Sequence, residues 1–102
     1  MGRLIEVQDP QDLPTPLTIR VDDVLIFRAT GGHVHSGAEA VELVGSFLPG
    51  VLGDNGQIYS PMGAPNRVLF LARHPGRANI DVVTGDPFQA PKTTELSITV
   101  EP

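Results

Sequence analysis

The residues best suited to coordination chemistry are the histidines. His33 and His35 are two apart, so on an extended backbone both rings project to the same side. Joined by His74, or by Glu39 or Glu42, they supply three ligands of the kind that Zn²⁺ and Cu²⁺ accept. The competing reading is a solvated loop whose imidazoles hold nothing, in which case no cofactor is expected. The chain has no Cys, which removes the thiolate of a blue-copper centre, a zinc-thiolate site, a thiol nucleophile and any disulfide.

The other polar groups point less clearly to chemistry. Asp22-Asp23, Asp54 and Asp86 stand in separate turns without the dense D-x-D spacing of a calcium loop, and Asp initiates turns readily. Ser36 and Ser46 have no G-x-S-x-G setting, nor a base and an orienter, so the expectation is a protein that is not an enzyme. The apolar residues in polar loops are more informative. Phe88 sits between Pro87 and Pro91, and an aromatic on a proline-stiffened loop loses little entropy on binding. It reads either as an anchor for a partner or as a cap folded over the end of the domain, and Met62 and Tyr59 pose the same choice in weaker form.

The elements that must position these groups are short strands. Gly 11 and Pro 10 in 102 residues leave little room for long helices. In residues 67–83, Val68, Phe70 and Ala72 alternate with Leu69 and Leu71, and Ala78, Ile80 and Val82 alternate with Asn79 and Asp81, which is the period of a strand. Between them His74-Pro75-Gly76-Arg77 reads as a tight turn, so the stretch is expected to be a hairpin. Further strands are expected at residues 4–7, 17–21, 24–29, 57–59 and 96–100, with Leu25, Phe27 and Ala29 turned inward. Residues 38–48 read as a strand, the alternative being a helix of two to three turns, since Ser36 and Glu39 match a capping box. Residues 30–37, 60–66 and 85–93 read as loops. Asn55-Gly56 is a hairpin signal.

Seven to eight short strands at this spacing predict an all-β fold, an antiparallel immunoglobulin-like β-sandwich spanning residues 1–102 as one domain. Leu25, Phe27, Phe70, Ile80, Leu96 and Ile98 should form its centre. The net charge of −5, with Lys92 the sole lysine, argues against nucleic-acid binding. No apolar run approaches the roughly 20 residues of a membrane span, and the opening MGRLIEVQDP has no secretory apolar region. A soluble domain is expected, with no membrane insertion; its compartment, secreted and periplasmic origins included, stays open.

From Phe70 the spacing is F-x-A-x-x-P-G-x-A-x-I, followed by Gly85-Asp86-Pro87-Phe88 and then Leu96-x-Ile98-x-Val100. This pattern resembles the C-terminal half of the chagasin-type inhibitors of cysteine peptidases and, less specifically, bacterial immunoglobulin-like repeats. The resemblance implies a β-sandwich that binds through three loops at one end. Asp86-Pro87-Phe88 takes the place of the family's R-P-W-like loop and Pro61-Met62-Gly63-Ala64-Pro65 that of its middle loop. The N-P-T-T-G-like first loop is missing, with Gly31-Gly32-His33-Val34-His35 in its position.

The expected function is therefore a non-enzymatic module that recognises a protein partner, a peptidase among the candidates, through loops 30–37, 60–66 and 85–93. Gly31, Gly32, His33, Met62, Asp86, Pro87 and Phe88 are the expected contact residues. Two alternatives stay open: a structural subunit that self-associates through the edge strands at residues 4–7 and around Ile58, and a metal-binding domain built on His33, His35 and His74.

Overall fold

Alternation of apolar side chains places strands where the sequence indicates them, and burial decides which face of each looks inward. The computed structural model describes residues 2–60, 62–85 and 88–102. Among these residues are ten strands: β1 (Leu4–Val7), β2 (Leu17–Arg20), β3 (Val24–Phe27), β4 (Gly31–Ser36), β5 (Val41–Phe47), β6 (Val51–Leu52), β7 (Ile58–Tyr59), β8 (Arg67–Ala72), β9 (Gly76–Thr84) and β10 (Lys92–Glu101). Residues 41–47 are extended, so the strand reading of residues 38–48 is the correct one. Two valines and Gly45 favour that outcome over a helix. One turn of 3-10 helix, Pro10–Asp12, is capped by the Asp9 carboxylate, which accepts from the Gln11 amide at 3.0 Å.

Among the described residues the strands form two four-stranded sheets, β1-β3-β8-β5 and β2-β10-β9-β4, and a two-stranded one of β6 and β7. The sandwich is mainly antiparallel, but β1 runs parallel to β3 and β2 parallel to β10 at the sheet edges. Between the sheets the inward side chains make one core, in which Leu25, Phe27, Phe70 and Ile80 are fully excluded from solvent and Leu96 and Ile98 nearly so. Phe27 and Phe70 meet edge to face, ring centroids 5.7 Å apart, a favoured geometry for two aromatic quadrupoles. Among the described residues no helix is long and apolar enough to cross a membrane.

Two local expectations are corrected. Residues 67–83 are two strands, but not a hairpin: β8 lies in one sheet and β9 in the other. The Pro75-Gly76 corner carries the chain across the sandwich, with Gly76 at φ 152°, so Phe70 and Ile80 face each other through the core. The long hairpin is β9–β10, paired from Thr84↔Lys92 to Gly76↔Val100. Residues 30–37, expected as a loop, are largely β4, whose ladder with β9 begins Gly31↔Val83, Gly32↔Val82, His33↔Asp81. Gly32 there answers a packing demand. A Cβ on Gly32 would come within 2.8 Å of both the Phe70 ring and Val68 Cγ1, so the missing side chain makes room for the central aromatic.

At the Pro75 end of the sandwich the corner is held by a buried carboxylate. Asp23 is 1% exposed. Its Oδ1 accepts from Arg3 Nε at 3.0 Å and the Arg3 amide at 3.1 Å, and its Oδ2 from Arg3 Nη2 at 2.6 Å and the Arg20 amide at 2.8 Å. The two-pronged Arg3 bond, with help from the backbone amides and against the cost of burial, pushes the carboxyl down to about 2 from 3.8.

Two outcomes follow from this packing. Gly32→Val should destabilise the fold by about 1–3 kcal/mol through overpacking against Phe70, read as a lowered midpoint in urea unfolding. Asp23→Ala orphans buried amides and should cost on the order of 3 kcal/mol. Because the folded carboxyl titrates below its unfolded value, the stabilisation is complete above pH 3.8 and is lost as pH falls from 3.8 towards 2. Thermal melts across that window should fall more steeply for the wild type than for Asp23→Asn.

Candidate functional site

Strand direction sorts the connections by end. β8 starts and β9 finishes at the end opposite the Pro75 corner, so the described residues of 48–66 and 85–91 lie towards that end. The Phe27↔Val68 and Gly31↔Val83 pairs place the short turn of residues 28–30 at the same end. Residues 62–66 and 88–91 therefore lie towards one end of the sandwich, whereas only the start of the 30–37 segment, around Gly31, reaches that end. Gly32 faces the core, and His33 lies on the outer face of the second sheet. Met62 and Phe88 stand out into solvent, 98% and 92% exposed. Asp86 and Pro87 lie outside the described residues.

The Asn55-Gly56 signal and the strand expected at residues 57–59 correspond to a real hairpin. β6 and β7 make a small hairpin whose pairs are Val51↔Tyr59 and Leu52↔Ile58. Its tip is set by polar groups: the Gly53 amide donates to Gln57 O at 2.8 Å, the Gln57 amide to Asn55 Oδ1 at 3.1 Å, and Asn55 Nδ2 to the Tyr59 hydroxyl at 3.0 Å. Anchored by that hydroxyl, the Tyr59 ring, with Val51, Leu52 and Ile58, remains exposed. Among the described residues, all the exposed large apolar side chains except Leu4 and Val44 belong to Phe47, this hairpin, Met62 and Phe88. Sequence reading picked out Met62, Phe88 and Tyr59. It took Ile58 only as part of an edge strand and passed over Val51 and Leu52, because a short apolar pair beside an Asn-Gly turn looks the same whether it packs or not.

The histidines separate into two places. His74 sits at the Pro75 corner, where its amide faces Ala40 O at 3.4 Å, and Glu42 is held by Arg73 Nη1 at 3.0 Å. Neither joins His33 and His35. The third member of that group is Asp81, the ladder partner of His33 on β9. One ligand atom from each of His33, His35 and Asp81 lies within 4.8 Å of the others. Asp81 escaped sequence analysis, although its alternation with buried Ile80 and Val82 already placed it on the outer face.

No protein-family model matches the chain, and no curated protein matches it in sequence. Solved structures share its fold. The cysteine protease inhibitor EhICP2 from Entamoeba histolytica superposes with a TM-score of 0.57 at 11% identity, over 98% of this chain and 97% of that one. Amebosin gives 0.52 at 16% identity, over 97% and 98%. The chain thus shares the immunoglobulin-like β-sandwich fold of these two structures.

Proposed function

We propose that this protein is a non-enzymatic binding module that presents one end of its sandwich to a protein partner, with a cysteine peptidase as the favoured class. The observation that carries the reading is the gathering of exposed apolar side chains towards that end, Phe47, Val51, Leu52, Ile58, Tyr59, Met62 and Phe88, against only Leu4 and Val44 elsewhere among the described residues. Solvated apolar surface of this kind marks an interaction site. The hydrogen-bonded tip of the β6–β7 hairpin holds part of it in shape beforehand, which lowers the entropy lost on docking. The fold shared with a cysteine protease inhibitor supplies the partner class.

A second reading rests on β1, an edge strand of the first sheet with Leu4 exposed at its start. An open edge can pair with another copy of the chain. Static light scattering separates the two, since the binding-module reading expects a monomer and edge pairing an oligomer that grows with concentration.

Titration against a papain-like cysteine peptidase with a fluorogenic substrate tests the main reading. The wild type should inhibit, and Phe88→Ala should weaken inhibition by more than ~1 kcal/mol, about fivefold in the inhibition constant. Absence of both inhibition and binding by the wild type overturns the peptidase assignment, and unchanged affinity in the variant removes Phe88 as an anchor.

A further inference from the structure

We propose that His33, His35 and Asp81 form a binding site for a borderline transition-metal dication, Zn²⁺ or Cu²⁺, on the outer face of the second sheet. The site is independent of the partner-binding reading, because it uses the face of β4 and β9 and not the connections at the sandwich end.

Three features support it. First, the strand period puts His33 and His35 on one face, and their rings lie 6.2 Å apart, edge to face at 76°. Second, the β4–β9 register shifts by one residue between Val34 and Ser36, so His35 has no ladder partner of its own. A bulge of this kind re-aims a side chain, and here His35 Nδ1 stands 3.7 Å from Asp81 Oδ2. That separation is too long for a hydrogen bond. Two ligands about 2.0–2.2 Å from one tetrahedral ion are roughly 3.4 Å apart, so small side-chain rotations would bring these donors onto a shared metal.

Third, the surrounding charge favours a cation. Glu95 on β10 is the ladder partner of Asp81 on the side away from His33, so an acidic pair flanks the imidazoles across three adjacent strands. Two imidazoles and a carboxylate select Zn²⁺ or Cu²⁺ over Ca²⁺ and Mg²⁺, which prefer all-oxygen sets. The exposure of both imidazoles leaves room for water as a fourth ligand.

Thermal melts of tag-free protein with ZnCl₂, CuCl₂, CaCl₂ or MgCl₂ provide the test, because an ion that binds only the folded ladder must raise its stability. At a Zn²⁺ or Cu²⁺ concentration near 100 times the dissociation constant, Tm should rise by on the order of 10 °C. Ca²⁺ and Mg²⁺ should have no such effect. The rise should persist in His74→Ala, shrink in Asp81→Asn and vanish in the His33→Ala/His35→Ala double variant, with circular dichroism reporting that each variant folds. Electron paramagnetic resonance of the Cu²⁺ form should show nitrogen hyperfine structure from two imidazoles. No shift at millimolar Zn²⁺ or Cu²⁺, an equal shift with Ca²⁺, or a shift that survives the double variant would overturn the proposal.

Discussion

The carboxylate of Asp23 is the contact on which the corner of the sandwich depends. Burying a charge is costly unless every lone pair finds a donor, and Asp23 collects its donors from two separate parts of the chain. Arg3 brings in the start of β1, and the Arg20 amide brings in the end of β2. The backbone beside it extends the clamp to a third: the Asp22 amide donates to Ala72 O and the Ala72 amide to Asp23 O, which ties down the end of β8 just before the Pro75 corner. Ala40 O receives the Arg73 amide at 2.7 Å, so the turn into β5 joins the same knot. Closing one end in this way leaves the opposite end free to carry long and unusual connections.

That division has a topological origin. From β1 to β5 each successive strand changes sheet, and so does the step from β8 to β9; the corners from β2 to β3, β4 to β5 and β8 to β9 turn at the Asp23 end, and the short turn from β3 to β4 at the other. The opposite end receives residues 48–66, an excursion between two strands that are themselves ladder neighbours. Because β5 and β8 pair directly, with the Asn66 amide donating to Phe47 O at 3.0 Å at the foot of the excursion, the β6–β7 hairpin beyond it is at liberty to display apolar side chains. The outer face of the second sheet is free in the same sense. Its inward residues, Ile80 and Val82, carry the packing, while Asp81 between them and His33 opposite it are available for chemistry.

Much of the fold was legible in the residues, because alternation in a strand is a local property. It located β3, β8, β9 and β10, and it identified the six central core residues. Residues 41–47 were also readable once Gly45 and the valines were weighed against a helix. Pairing was not legible. A turn such as His74-Pro75-Gly76-Arg77 reverses the chain whether it closes a hairpin or an arch between sheets, and only the packing of Phe70 against the opposite sheet separates the two. The same blindness hid β4. Gly31-Gly32 looks like a flexible loop until the Phe70 ring is seen in the space a Gly32 side chain would fill.

The sequence by itself determined the class of the protein: all-β, cysteine-free, acidic, with a sandwich core of named apolar residues and two histidines on one side of an extended segment. All of these are matters of composition and of a period of two. The tertiary structure alone decided which residues those histidines meet, Asp81 and not His74, and which connections share an end with Phe88. Both are contacts between segments distant in the chain. Strand register and the burial of one carboxylate set them, and neither leaves a mark on the local order of residues.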